Sequence, residues 1–190
     1  GYKLERGAGD LPLYTRRPVA VVESRQPKRY DVEARLPPAL AGIPGEAREG
    51  DALGTALAAD IRDRIREARS TLVFTNSRRL SERITRLIND GAPREIAWSH
   101  HGSLSRELRS AIEQRLKAGD LPALVATSSL ELGIDIGALD QVLLVQSPRS
   151  LASAAQRVGR AGHAVGEVSR ARFYATHARD FLECAVAARA

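Results

Sequence analysis

The sequence predicts an α/β domain of three layers, a mostly parallel β-sheet with helices on both faces. Two observations carry this. Continuous apolar runs at residues 71–75, 123–125 and 141–146 are too short for helices and read as buried strands. Between them, apolar residues recur at helical spacing, and strands alternating with helices build a parallel sheet covered on both sides. A length of 190 residues supports one such domain with a real core and an additional arm.

Each element follows in turn. Residues 1–17 carry glycine, proline and charge without periodicity and read as a loosely held arm. Residues 18–23 and 29–36 read as strands. The second alternates Tyr30, Val32, Ala34 and Leu36 against charged neighbours, the pattern of a half-exposed strand. Pro37, Pro38 and the stretch 42–50 form a linker, so residues 1–50 are arm and linker and residues 51–190 the core domain. From Asp51 the spacing of Leu53, Leu57, Ile61 and Ile65 predicts a helix ending near Ser70. A buried strand at 71–75 follows, then Asn76 and Ser77 as a cap for a helix with Leu80, Ile84, Leu87 and Ile88 on one face. Residues 95–99 are the next strand. A helix from Ser105 buries Leu108, Ile112 and Leu116 and stops at Gly119. The strand ending at Thr127 precedes a short helical turn around Leu130, and 141–146 is an unbroken apolar strand. Ser150 opens a further helix. Residues 171–175 return as a strand, and a last helix over 176–189 buries Phe181, Leu182 and Val186.

Composition narrows the function. The net charge is +6 with a pI near 10.1. Only three of the 29 basic residues are lysines (Lys3, Lys28 and Lys117), and an arginine bias suits phosphate, which guanidinium forks bind bidentately. No stretch has 18 consecutive apolar residues, so no membrane span is expected, and the first residues lack the apolar core of a signal peptide. Cys184 is the single cysteine, which rules out an internal disulfide framework and fits a reducing cytoplasm. A zinc site is not expected either, because His100, His101, His163, His177 and Cys184 lack a ligand spacing. With no methionine at all, the chain reads as an excised piece of a longer protein.

Residues 125–163 concentrate the chemistry. They read V-A-T-S-S-L-E-L-G-I-D-I-G, then an apolar strand, then A-Q-R-V-G-R-A-G-H. Ligands gather at the carboxyl ends of strands in an open parallel sheet, which is where the Thr127 hydroxyl and Asp135 carboxylate would lie. Gln156, Arg157, Gly159, Arg160 and Gly162 set a carboxamide and two guanidiniums around glycines, so backbone can approach a ligand while fixed positive charge is aimed at it.

T-S-S-L-E-L-G-I-D-I-G resembles motif V, and Q-R-V-G-R-A-G-H motif VI, of superfamily 2 helicases. The wording S-S-L-E-L-G-I-D with a terminal His163 is most similar to the large helicase-related branch of the DEAD/DEAH-type enzymes. The resemblance covers about residues 70–175 and implies a second RecA-like domain. Leu72 to Arg78 is similar to motif IV, which implies nucleic-acid backbone contacts at Thr75, Asn76, Ser77 and Arg78. His101 and Gly102 resemble a turn beside the same path. The resemblance assigns a strand phosphate to Thr127 and Ser128, and the nucleotide to Gly133 and Asp135. Gln156 and Arg160 match the positions used at the γ-phosphate, with Arg160 as arginine finger. Arg157 lies by the nucleotide or ties motif VI to neighbouring acids. His163 stands where the common pattern has a second arginine and is carried as a possible nucleotide contact.

The implied ligands are ATP with Mg2+ and single-stranded DNA or RNA, and the implied partner is the first RecA-like domain of the same polypeptide. The sequence has no Gly-Lys dipeptide and hence no G-x-x-x-x-G-K-[ST] loop, and no Asp-Glu dipeptide to hold a metal and water. The implied enzyme is therefore an ATP hydrolase only as a whole, with 3′ to 5′ translocation. Two alternatives stay open from the residues: a non-catalytic binding or docking module of the same fold, and the motor of a restriction or remodelling translocase.

Overall fold

Burial decides where each strand goes. The computed structural model describes residues 2–6, 12–20, 29–37, 51–131, 139–162 and 167–189. The first segment is a hairpin, β1 (Tyr2–Arg6) antiparallel to β2 (Pro12–Arg16), with Leu4 opposite Tyr14. Both of those side chains are exposed, and the sequence has no apolar period to betray the hairpin. The reading of residues 1–17 as a loosely held arm did not anticipate these two strands. Of the strand expected at 18–23, residues 18–20 form none, Val19 being exposed, and residues 21–23 lie outside the described residues.

The remaining elements are β3 (Arg29–Arg35), α1 (Asp51–Glu67), β4 (Thr71–Thr75), α2 (Arg78–Asp90), β5 (Ala97–His100), α3 (Arg106–Lys117), β6 (Ala123–Ala126), β7 (Gln141–Val145), α4 (Leu151–Val158), β8 (Val168–Tyr174) and α5 (Ala178–Arg189). Six strands form one sheet in the order β3-β8-β7-β4-β6-β5, every pair parallel. β4, β6 and β7 are buried along their whole length and take the interior of the sheet; β3, exposed at Tyr30 and half-buried at Val32 and Ala34, takes an edge. The sheet thus draws an edge strand from ahead of Asp51.

Alternate side chains of the central strands feed two cores. Val73, Val125, Leu143 and Val145 pack with Leu57, Ile61 and Ile65 of α1 and Ile84 and Ile88 of α2. Leu72, Phe74, Leu124, Leu144 and Phe173 pack with Ile112 and Leu116 of α3, Ala154 and Val158 of α4, and Cys184 of α5. The three-layer α/β fold is therefore as the strand–helix alternation predicts. No helix among the described residues is long and apolar enough to cross a membrane.

Two helical faces differ from expectation. Leu108 is exposed, because α3 reaches the core only from Ile112 onward. In α5 the expected Phe181, Leu182 and Val186 face solvent, Leu182 at 67% exposure, while Asp180 and Cys184 turn inward. The cause is a buried carboxylate. Asp180 accepts the amides of Ser147 and Thr176 at 2.7 Å each, which rotates its side of the helix onto the sheet. Burial pushes the Asp180 carboxyl up, but these amides and the hydroxyls beside them outweigh it and hold it below the usual carboxylate range. Burial, with Asp180 beside it, pushes the Cys184 thiol up to about 12.

Candidate functional site

Because β4, β5, β6 and β7 are parallel, the turns that follow them meet at one edge of the sheet. Two groups of side chains are built there.

The first comprises the turns after β4, β5 and β6. Ser77 caps α2, its hydroxyl accepting the Leu80 amide at 3.2 Å, and lies exposed at a helix N-terminus. Arg78 is exposed and donates to the Ser103 hydroxyl at 3.0 Å, joining the turn after β4 to the turn after β5. Gly102 is exposed, and a side chain there would meet open space. Thr127 is half-buried with its amide on the His100 carbonyl at 3.2 Å, and Ser128 is exposed at the start of a 3-10 turn, Ser128–Leu130. Exposed hydroxyls and amides at strand ends and helix starts suit a phosphate backbone without regard to base. Three other candidates have little or no side chain to offer. Thr75 is fully buried, its hydroxyl 3.2 Å from the Ser77 carbonyl and 3.4 Å from that of Ala126. Asn76 donates to the Ser147 carbonyl at 2.7 Å and accepts from Arg157. His101 is buried with Nε2 3.2 Å from Glu82 Oε1. These residues shape the turns.

The second group surrounds α4. Ser150 caps the helix by accepting the Ser153 amide. Arg157 is only 3% exposed, and its Nε and Nη2 converge on Glu131 Oε1 at 2.7 and 2.6 Å. Its Nη1 donates to Asn76 Oδ1 at 3.1 Å, and its guanidinium lies 5.2 Å from the centre of the Phe74 ring. Ser153 adds a third donor to Glu131 at 3.0 Å. Arg160 follows one turn later, and its Nη2 donates to the Glu131 main-chain carbonyl at 2.7 Å. Gln156 is exposed on the last turn of α4. Gln156 is exposed and Arg160 half-buried, and an amide and a guanidinium are donors that suit an anion.

The glycines do something other than the sequence suggests. Gly162 has φ +65°, and a Cβ there would come 3.0 Å from the Val168 carbonyl oxygen. Its close approach is to the start of β8, its own chain. A Cβ at Gly159 would sit 2.9 Å from the Ala155 carbonyl oxygen. Gly133, Asp135 and His163 lie outside the described residues. Among the described residues no group of three or more histidines, cysteines or carboxylates could hold a metal ion.

Sequence reasoning missed Glu131, whose carboxylate holds Arg157 and whose main-chain carbonyl receives Arg160, and Ser147, which receives Asn76 and gives its amide to Asp180. Glu131 stands inside the quoted S-S-L-E-L-G run, but no spacing rule marks it. Of the two options for Arg157, the structure brings it to a neighbouring acid.

A six-stranded parallel sheet with an arginine-bearing turn at its carboxyl edge, and no phosphate loop in the sequence, is the architecture of a second RecA-like motor domain. The family model "helicase conserved C-terminal domain" matches residues 54–165, and the chain belongs to that family, in its Lhr-like branch of superfamily 2. It is 37% identical to "Lhr helicase/ probable uracil glycosylase" of Mycolicibacterium smegmatis, over 89% of this chain and 13% of that protein. It is 40% identical to "ATP-dependent helicase Lhr-Core" of Methanothermobacter thermautotrophicus, over 74% of this chain and 17% of that protein. Among solved structures, that of the Mycobacterium smegmatis helicase Lhr bound to ssDNA and AMP-PNP superposes with a TM-score of 0.77 and 42% identity. The match covers 90% of this chain and 22% of that one. The chain thus spans less than a quarter of the length of these relatives. A DEAD box protein of Methanococcus jannaschii, 20% identical with a TM-score of 0.65 over 85% of this chain and 39% of its own, shares the fold.

Proposed function

We propose that this chain is the second motor domain of an ATP-dependent nucleic-acid helicase or translocase. In this reading Arg160 is its arginine finger and the turns after β4, β5 and β6 form half of a single-strand track. The observation that carries the reading is the Arg157 bridge. One buried guanidinium is bonded to Glu131 after β6 and to Asn76 after β4, and the same Glu131 receives Arg160 through its main chain. Binding alone does not require a second arginine fastened beside the track; coupling of the track to a phosphate does. The relative solved with ssDNA and AMP-PNP supports a strand and a nucleotide as the two ligands.

The residues divide the work. Ser77, Arg78, Gly102, Thr127 and Ser128 grip the sugar-phosphate backbone, while Thr75, Asn76 and His101 hold their turns in shape. Gln156 and Arg160 face the γ-phosphate, with Gly133, Asp135 and His163 toward the rest of the nucleotide. ATP with Mg2+ supplies the transferable phosphoryl group when bound. Its phosphate loop and metal ligands belong to a first RecA-like domain of the same cytoplasmic polypeptide, so the isolated chain does not turn over ATP. Alternating grip then moves the protein 3′ to 5′ along one strand.

Arg160→Ala tests this in the whole protein. A finger of this kind contributes about 10³- to 10⁵-fold in well-studied phosphoryl transfers, so single-turnover hydrolysis at saturating strand should fall at least about a hundredfold. A melting curve should stay near that of the parent. Arg160→Lys should recover little, because an ammonium lacks the planar fork. Near-normal hydrolysis by well-folded Arg160→Ala would remove the assignment.

A further inference from the structure

Thr127 sits at the end of a relay of side chains that starts on α3. We infer that His100, fixed by Glu113, is a positioning residue for the turn 127–129, and thereby sets how tightly Thr127 grips a nucleic-acid phosphate. This rests on the reading of Thr127 as a backbone contact.

His100 is the last residue of β5 and only 1% exposed. Its Nε2 lies 2.9 Å from Glu113 Oε1 and its Nδ1 3.0 Å from the Ser129 hydroxyl. An ionised carboxylate only accepts, so the Nε2 of a neutral ring carries the proton and Nδ1 is left as an acceptor. Burial, with Arg109 and His101 nearby, outweighs the pull of Glu113 and holds the ring's titration below the ordinary histidine range. The Ser129 hydroxyl has one proton and two acceptors, Nδ1 at 3.0 Å and the His100 carbonyl at 3.3 Å; both belong to His100, and donation to either leaves its lone pairs for Thr127. The Thr127 hydroxyl donates to Ser129 across 3.5 Å, longer than a good O–H···O bond of about 2.7 Å. It is therefore aimed but weakly held, and can swing to a phosphate oxygen while the turn stays in place.

The main chain is held by the same residue. The His100 carbonyl accepts the Thr127 amide at 3.2 Å and lies 3.3 Å from the Ser129 hydroxyl. His100 thus touches the turn through both ring and backbone, and Glu113 transmits the position of α3 to it. None of His100, Glu113 and Ser129 needs to meet the strand.

The whole protein provides the test, with ATPase rate followed against the concentration of a single-stranded oligonucleotide. Ser129→Ala should raise the half-saturating concentration about five- to tenfold, the effect of one lost positioning hydrogen bond, while the maximal rate changes by less than about twofold. His100→Asn retains an oxygen where Nδ1 stood, so it should recover most of the affinity lost by His100→Ala. Glu113→Gln, whose amide oxygen still accepts from Nε2, should fall between the parent and Ser129→Ala. Melting curves separate these effects from unfolding. The inference is overturned if Ser129→Ala leaves half-saturation unchanged, or if folded His100→Asn is no better than His100→Ala. Thr127→Ala distinguishes the levels. If it too leaves strand affinity intact, the reading of Thr127 as a backbone contact fails; if it weakens the strand while Ser129→Ala does not, only the positioning role fails.

Discussion

Arg157 and Arg78 stand at the same edge of the sheet and are held in opposite ways. Arg157 is buried, with two nitrogens on a carboxylate oxygen at 2.6 and 2.7 Å and a third on an amide. Arg78 is exposed, with a serine hydroxyl at 3.0 Å and Glu82 no closer than 3.8 Å. The proposed finger side is built from charge-assisted bonds away from water, where few alternatives compete. The proposed track side is built from hydroxyls and amides that a passing phosphate could replace. The proposed motor would use both: a part that keeps its shape while the nucleotide changes, and a part that lets go.

The sharpest way to break this contrast is to remove the buried acid. Glu131→Ala leaves Arg157 buried without its counter-charge, and losing one partner of such a pair costs on the order of 3 kcal/mol. Chemical denaturation should report that loss, whereas Arg78→Ala should stay within about 0.5 kcal/mol of the parent, as exposed pairs do. Equal losses would mean that the two sides are not built differently.

Acid should undo the frame around Arg157 before the turn that holds Arg78. Asp180 holds Ser147, and Ser147 in turn receives Asn76, the partner of Arg157. Its folded-state titration is depressed, so its contribution to stability is present above the unfolded aspartate value of about 3.9 and is lost as pH falls through the lower folded value. Asp180→Asn should flatten the fall in melting temperature across that acid window. An unchanged slope would show that other carboxylates carry it.

The smallest expected effect sharpens the track side. Arg78→Ala should weaken single-strand binding alike for all base sequences and reduce the slope of log affinity against log salt by roughly one. A sequence-dependent loss would mean that Arg78 reads bases.

The parts of this architecture that were legible in the sequence are those where burial and apolar character coincide. β4, β6 and β7 are covered on both faces and therefore spell continuous apolar runs. The hairpin β1–β2 was not legible because Leu4 and Tyr14 face water. The face of α5 was misjudged because counting apolar residues ignores a buried carboxylate, and Asp180 with its two amides outweighs Leu182 and Val186 in setting the rotation of the helix. At the site, Ser77, Arg78, Thr127, Ser128, Gln156 and Arg160 were named from motif wording. Glu131, Glu113 and Ser129 were not, since their importance lies in what they touch across 26, 13 and 29 residues of chain. Such distances leave no period to read.

The inward turn of α5 has a practical consequence for anyone wishing to watch this domain move. Cys184 is the chain's single cysteine, fully buried and with its thiol held protonated far above neutral pH. Thiol-directed dyes attack as the thiolate reacts, so this sulfur is unresponsive at pH 7. A cysteine introduced at exposed Arg79, beside the track, would be the single reactive handle of this chain without deleting the native one. Maleimide coupling of one equivalent to Arg79→Cys, and of none to the parent chain, is the measurement that checks this, and a fluorophore placed there would test the proposed strand capture and release on a scaffold left otherwise as nature built it.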